Sequence, residues 1–269
     1  MRLRQLSVVR IVLAAAPIVA CNIAVITLAG AGPLSTLVRA ASSLALYAGY
    51  VRLIERRPLD ELARTRAVPE FARGLALGAA LFSVTIAILC LLGVCTVEAA
   101  GDVASTANVL AGAIAAAVIE ELLLRAIFFR LVERSLGTWI ALALSAALFG
   151  VLHAFNVGAT VVSTIAIALE AGVLLAAAFA LTRRLWLPFG LHAAWNFTEG
   201  GIFGASISGG QPRGLLTSQL SGPELLTGGS FGPEASVVAV VVCLAAGITL
   251  LALAHRRGQF LPPRWRRPA

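Results

Sequence analysis

Long apolar stretches recur along the whole chain, and the short segments between them hold most of the charged residues. A helix of about 20 apolar residues is long enough to cross a bilayer, and eight stretches come close to that length. The pattern predicts an all-α, polytopic membrane protein with about eight transmembrane helices. The second stretch is the weakest, because it contains Arg39 and several serines. The predicted spans cover residues 9–30, 34–51, 74–95, 107–129, 137–156, 160–181, 185–204 and 235–254.

The composition supports the membrane class. Of the 269 residues, 59% are hydrophobic and only 13% are charged, whereas soluble domains carry about 25% charged residues. The mean hydropathy is +0.92. The apolar N-terminal run up to Cys21 is similar to a lipoprotein signal, but it continues to Ala29, which favours an uncleaved first helix.

The arginines lie on one side of the predicted spans. With eight spans, the opposite side contains Arg213 as its only basic residue. The positive-inside rule then predicts a multi-pass protein of the plasma membrane with both termini cytoplasmic. This distribution also argues against a nucleic-acid partner, although the net charge is +8. The arginine-rich segments are 2–10, 52–73, 130–134, 183–184 and 256–267.

Four parts are predicted along the chain. Residues 1–104 contain the first three helices and a charged cytoplasmic connector at 52–73, where prolines interrupt a short amphipathic pattern and the charges are expected to face solvent. Residues 105–204 form a core of four helices. A loop rich in Gly, Ser and Pro follows on the outer side at 205–234. Residues 235–269 are the last helix and a basic cytoplasmic tail.

Two carboxylates and a guanidinium lie in the apolar stretch "AAAVIEELLLRAIFFR". An ionised side chain at the centre of a bilayer costs roughly 2.5–3.5 kcal/mol on insertion scales. Glu121 and Arg125 are four residues apart, so they share a helix face and are expected to form an ion pair. Glu120 lies about 100° around the helix and therefore needs a partner from another span.

Two further apolar stretches supply such partners. The sequence "FGVLH" places Phe149 and His153 on one helix face, and "HAAWN" does the same for His192 and Asn196. Ionisable residues in membranes normally face the bundle interior, so these side chains are expected to converge on Glu120. They are candidates for a catalytic or ion-handling site. The alternative is a polar network that only holds the helices together.

Three charges in or near the spans lie outside these stretches. Glu170 and Arg39 are intramembrane charges to which we assign no catalytic role. Glu199 follows Asn196 by about one helical turn, and we interpret it as an acid at a helix end that faces water.

The three stretches together resemble a known motif set. "EELLLR", "FGVLH" and "HAAWN" are similar, in this order, to the E-E-x-x-x-R, F-x-x-x-H and H-x-x-x-N/D motifs of the CPBP (CAAX protease and bacteriocin-processing) family. That family is also called the Abi or Ras-converting-enzyme-like intramembrane proteases. The resemblance covers roughly residues 105–204, and the flank "LWLPFGLHAAWNF" resembles bacterial members. It implies a helical bundle whose active site is formed by spans four, five and seven.

The resemblance also implies roles for four residues. Glu120 would be the general base that activates water for attack on a peptide carbonyl. His153 would hold Glu120 and that water. His192 and Asn196 would donate hydrogen bonds to the oxyanion.

The remaining motif residues and the cofactor follow from the same resemblance. Structural support is implied for Glu121, Arg125 and Phe149. Members of the family are often labelled metalloproteases, and two His with a Glu form a known zinc set. The alternative metal ligands are Glu120, His153 and His192. The expected cofactor is therefore either none or a divalent metal such as zinc.

The expected function is intramembrane cleavage of a peptide or a membrane-tethered protein, with the lipid bilayer as the second partner. The sequence makes no prediction about oligomeric state. Two other classes stay open. One is a proton-coupled transporter, although the chain shows no pair of repeated halves. The other is a non-catalytic membrane scaffold or immunity protein that retains the motifs.

Overall fold

The protein is built almost entirely of helices, and this confirms the all-α membrane class. A computed structural model describes residues 7–99 and 101–266, so Arg2, Arg4 and Arg267 lie outside the described residues. Two short strands accompany the helices. In chain order the elements are α1 (Ser7–Ala29), α2 (Pro33–Gly49), α3 (Ala67–Leu91), β1 (Cys95–Glu98), α4 (Val103–Glu121), α5 (Arg130–Leu136), α6 (Thr138–His153), α7 (Val161–Ile167), α8 (Val173–Thr182), α9 (Trp186–Asn196), β2 (Thr217–Leu220), α10 (Glu224–Thr227) and α11 (Val237–Arg256).

Several α-helices continue directly into π-helical segments. Such segments are rare and often occur at functional sites. They join α4 to α5 and α7 to α8, so that Val103–Leu136 and Val161–Thr182 are each one continuous helix. The π-helical segments are Tyr50–Glu55, Leu122–Phe129, Ala168–Gly172 and Phe197–Ile202.

Six helices in the described residues are long and apolar enough to cross a membrane. The fourth predicted span, 107–129, is part of a helix of 34 residues. At 1.5 Å per residue that helix is roughly 50 Å long, longer than a hydrocarbon core of about 30 Å. The fifth predicted span is only the 16-residue α6, and the seventh ends at Ile202. The count of eight crossings stays a prediction.

The predicted outer loop at 205–234 has more structure than its composition indicated. Its strand β2 pairs antiparallel with β1, and Cys95 lies opposite Leu220. The backbone N–H of Asp102 donates to the carbonyl of Gly214 at 2.8 Å. The segment is therefore a folded cap on one end of the bundle. Its partners lie more than 100 residues away in the sequence, so the local pattern does not reveal them.

The charged connector at 52–73 differs from the solvated segment that was expected. Arg57 forms ion pairs with Glu55 at 2.6 Å and Glu61 at 2.9 Å, and Arg130 reaches Glu55 at 2.9 Å. Burial disfavours the charge on Arg57, but the hydrogen bonds and charges of Glu61 and Glu55 outweigh it and raise the pKa of Arg57 above its ordinary value. The connector is thus tied to the helix that contains Glu120.

Close packing of α3 against α9 fixes the helix that carries "HAAWN". Gly74 and Gly78 on α3 and Gly190 on α9 lie where the two backbones touch, and a Cβ at any of them would overlap the partner helix's backbone. Small residues four apart allow this approach in membrane helices. The spacing of Gly74 and Gly78 therefore sets the position of His192 and Asn196.

Candidate active site

Four residues from three helices line one cavity of about 170 Å³. Glu120 is at the end of α4, and His153 is the last residue of α6. His192 and Asn196 lie one turn apart on α9. The structure thus brings together all four residues that the motifs single out.

One carboxylate oxygen of Glu120 lies between the two imidazole rings. Its Oε2 atom is 3.9 Å from Nε2 of His192 and 4.0 Å from Nε2 of His153. This oxygen is buried and has no hydrogen-bond partner among the described residues, although the side chain as a whole is 31% exposed. These separations exceed about 3.5 Å, too long for direct hydrogen bonds and in the range where a water can lie between two polar groups. The arrangement therefore has the dimensions of a water site.

His153 is held by the residue one turn before it. Its Nδ1 lies 2.8 Å from the carbonyl oxygen of Phe149, and the two rings stack with centroids 4.5 Å apart. Because a carbonyl oxygen can only accept, Nδ1 carries the proton. In the neutral ring, Nε2 is then an acceptor that faces Glu120. The stacked rings explain the F-x-x-x-H spacing, since side chains four residues apart share a helix face.

His192 is oriented by the second acid of the pair. Its Nδ1 lies 3.0 Å from Oε1 of Glu121, and the same oxygen accepts from Arg125 at 3.1 Å. An ionised carboxylate only accepts hydrogen bonds, so Nδ1 of His192 is the donor. Glu121 and Arg125 are both fully buried. The pair expected from their spacing is present, and it positions an imidazole as well as balancing charge.

Arg125 is also anchored to the next long helix. Its Nη2 group donates to the carbonyls of Ala171 and Gly172, each at 3.3 Å. These carbonyls end the π-helical segment Ala168–Gly172, where the regular α-helical hydrogen-bond pattern is interrupted. The guanidinium also lies over the ring of Phe149, 4.8 Å from its centroid, which adds a cation–π contact. Arg125 thus links α4, α6 and the α7–α8 helix around the cavity.

Asn196 lies at the rim of the same cavity. It is half-buried, and it is the last residue before the π-helical segment Phe197–Ile202. Its neighbour Trp195 is 5% exposed and also lines the cavity. The indole Nε1 of Trp195 has no hydrogen-bond partner in the described part of the chain. Two side chains with N–H donors therefore border the space beside Glu120.

Residues 102–198 match the family model described as type II CAAX prenyl endopeptidase Rce1-like. This segment is similar to that family, and we refer to it below as the Rce1-like domain. The match confirms the resemblance to CPBP proteases and identifies the chain as a membrane protein with a protease-family domain. Neither a curated protein nor a solved structure matches the chain significantly.

The Rce1-like domain contains every residue of the three motifs, from Glu120 to Asn196. Its donors do not assemble as a metal site. No group of three or more His, Cys, Asp and Glu within residues 7–99 and 101–266 is placed to share a metal ion. Of the proposed set, each histidine has its Nδ1 bonded elsewhere, and both Nε2 atoms are nearly 4 Å from Glu120. The geometry fits a bridging water better than a three-ligand metal.

A second group of acids, which the three motifs do not include, lies beside the Rce1-like site. Glu170 and Glu234 line the same cavity as Glu120, and Glu199 adjoins both. The interpretation of Glu199 as a water-facing acid is wrong, because it is 0% exposed. It lies in the π-helical segment Phe197–Ile202, which interrupts the regular helical period after Asn196, so its spacing from His192 did not reveal that it is buried.

Glu234 enters this group from the folded cap. The backbone N–H and the hydroxyl of Ser208 both donate to its Oε1, each at 2.7 Å. Burial raises the pKa of Glu234 above its ordinary value, while the Ser208 hydrogen bonds and the nearby His153 act in the opposite direction. No local signal in the sequence marks Glu234, because only the fold of 205–234 brings it to the cavity.

Proposed function

We propose that the chain is an intramembrane endopeptidase in which Glu120 activates a water molecule. The observation that carries the proposal is the buried Oε2 of Glu120, which faces the Nε2 atoms of His192 and His153 at 3.9 and 4.0 Å. The Rce1-like match supports protease chemistry. The short separations inside a largely apolar bundle support a single, ordered water.

The proposed first step uses both acceptors around that water. Glu120 accepts one hydrogen, and the neutral Nε2 of His153 accepts the other, which leaves an oxygen lone pair free for the peptide carbonyl. As the C–O bond forms, the proton moves to Glu120. General bases placed in this way contribute typically about 10²–10⁴-fold to a rate.

The proposed second step concerns the tetrahedral intermediate. Asn196 and His192 donate to its oxyanion, and donors fixed in advance stabilise such charge strongly in a low-dielectric site. Because Nδ1 of His192 already donates to Glu121, donation from Nε2 requires a doubly protonated ring. Glu121 lies where it balances that charge. Glu120 then returns its proton to the leaving nitrogen, and the C–N bond breaks to give a carboxylic acid and an amine.

The proposed substrate is a peptide or a membrane-tethered protein tail. The family description refers to prenylated CAAX substrates, but the cavity is explained by peptide cleavage without a lipid. We further propose a plasma-membrane protein of bacterial type with both termini cytoplasmic and eight crossings. Two sets of loop contacts support this topology: 92–102 meets 203–221 at one end, and 183–185 meets 61–70 at the other.

The test compares peptides released by membranes that contain the wild type, E120Q or E224Q, at matched amounts of folded protein. Glu224 is an exposed acid in the folded cap and serves as the control. We expect products from the wild type and E224Q, and their loss in E120Q. Identical peptide sets from all three would overturn the proposal and favour a scaffold or transporter that retains the motifs.

A further inference from the structure

Among the described residues, the three acids beside Glu120 have no arginine partner. Arginine ion pairs in the described residues engage other acids, namely Glu55, Glu61, Glu70, Glu121 and Glu133. Arg125, the buried cation closest along the bundle, is used by Glu121 and two backbone carbonyls. In the part of the chain that the structure describes, Glu170, Glu199 and Glu234 therefore form a buried acidic patch that no arginine pairs with, and the ring of His153 lies near Glu234.

Two observations beyond the acidity point to a ligand. Both carboxylate oxygens of Glu199 are buried without a partner at hydrogen-bond distance within the described ranges, and the group that adjoins them is another acid, Glu234. Trp195 lines the cavity, and its indole N–H also has no hydrogen-bond partner among the described residues. A buried polar group without a partner is costly, so native proteins rarely retain several in one place. A bound peptide would supply both partners that are needed, a cation for the acids and a carbonyl for the indole.

The kind of cation follows from the geometry. No three of these acids are placed to share a metal ion, which argues against a compact divalent cation. A guanidinium is planar and presents five N–H donors over a wider area, and an ammonium sits at the end of a flexible stem. The cavity of about 170 Å³ also contains Glu120, so the cation and the scissile bond would belong to one bound molecule.

We propose that Glu170 and Glu234, backed by Glu199, form a subsite for a basic side chain of the peptide substrate. This inference rests on the proposed protease function and adds its specificity. Ser208 fixes Glu234 through two hydrogen bonds to one oxygen. Glu170 projects from the π-helical segment whose last carbonyls hold Arg125. Arg125 thus connects the helix that carries Glu170 to the helix that carries Glu120.

The first arm of the test measures cleavage. Pairs of otherwise identical peptides carry arginine or citrulline, which has the same shape without the charge, at each position around a cleavage site. We expect the arginine peptide to be cleaved at least tenfold faster at one fixed position, as kcat/KM. The ratio should fall toward one in E170Q and in E234Q and stay high in the control E224Q.

The second arm measures binding to E120Q protein, which separates the subsite from catalysis. We expect the arginine peptide to bind at least tenfold more tightly than the citrulline peptide, and E120Q/E234Q to lose that difference. Equal binding of the two peptides overturns the subsite, even if wild-type cleavage depends on Glu120. Charge-dependent binding together with cleavage that does not require Glu120 would instead retain the subsite and overturn the proposed mechanism.

Discussion

Two groups of buried acids border one cavity, and they differ in their partners. Glu121 is bonded to Arg125 and His192, so its charge is balanced within the protein. Glu199 has no partner for either oxygen among the residues described, and its neighbours Glu170 and Glu234 are acids. Oε2 of Glu121 and Nε of Arg125 also lack a hydrogen-bond partner among the described residues, so the two groups differ in charge balance: the first contains a cation and the second does not.

The difference in partners indicates different roles for the two groups of acids. A buried ion pair whose members also hold a third residue fixes geometry, which explains why Glu121 and Arg125 orient His192. A buried acidic patch without a counter-charge is neutralised either by protonation or by a bound cation, and only the second requires a ligand. We therefore assign the paired acid to the support of the reacting groups and the unpaired acids to substrate selection.

The largest expected effect is a loss of stability when the ion pair between Glu121 and Arg125 is broken. R125Q leaves Glu121 as an uncompensated buried charge, and breaking a buried pair in this way costs about 3–5 kcal/mol. The double variant E121Q/R125Q should recover most of that loss, because no unpaired charge remains. Denaturant titration in mixed micelles measures both. A double variant as unstable as R125Q would contradict the pairing argument.

A large effect on rate without a similar effect on stability is expected for Asn196. Removing one oxyanion donor costs about 10²–10³ in kcat, so N196A should show this loss while it unfolds at nearly the wild-type denaturant concentration. Asn156 also lines the cavity, and N156A is the matched control with activity within a few-fold. Similar losses in both variants would mean that Asn196 has no special role.

Replacing an acid of the unpaired group by its neutral amide should change the stability of the protein little. E199Q removes a buried carboxylate that has no bond to lose, so the stability change should be under about 1 kcal/mol, in the range of a single ordinary hydrogen bond. The same titration used for R125Q checks this. Destabilisation as large as that of R125Q would show that Glu199 already has a stabilising partner and would remove the contrast between the two groups.

The smallest expected effect is that of removing divalent metals. If the acids select an organic cation and Glu120 activates water, EDTA treatment should leave the cleavage rate of purified protein within a few-fold. Loss of activity that returns when zinc is added would contradict one of the two assignments, because a metal would then occupy one of the two groups.

Much of the catalytic group could be predicted from the sequence, because helical spacing alone determines which side chains share a face. Glu121 and Arg125, four apart, illustrate this, as does the spacing of His153 after Phe149. Hydropathy was equally informative about the helices, since the bilayer imposes their length. These features could be predicted because the residues that determine them lie close together in the sequence.

The parts that could not be predicted depend on contacts between distant segments. Glu234 reaches the cavity only because the cap at 205–234 folds back, with β2 paired to β1. The π-helical segments shift the faces of the helices they interrupt, so a simple 3.6-residue period did not show that Glu199 is buried. The ion pairs of the connector at 52–73 likewise need Arg130 from another helix.

The most direct test of the central claim is the cleavage rate of purified E120Q relative to the wild type, on a peptide that the wild type cleaves. Both proteins are reconstituted at equal folded amounts. The water-activation mechanism predicts a fall of about 10²–10⁴-fold, the contribution of a positioned general base. A rate within a few-fold of the wild type would show that Glu120 is not the base.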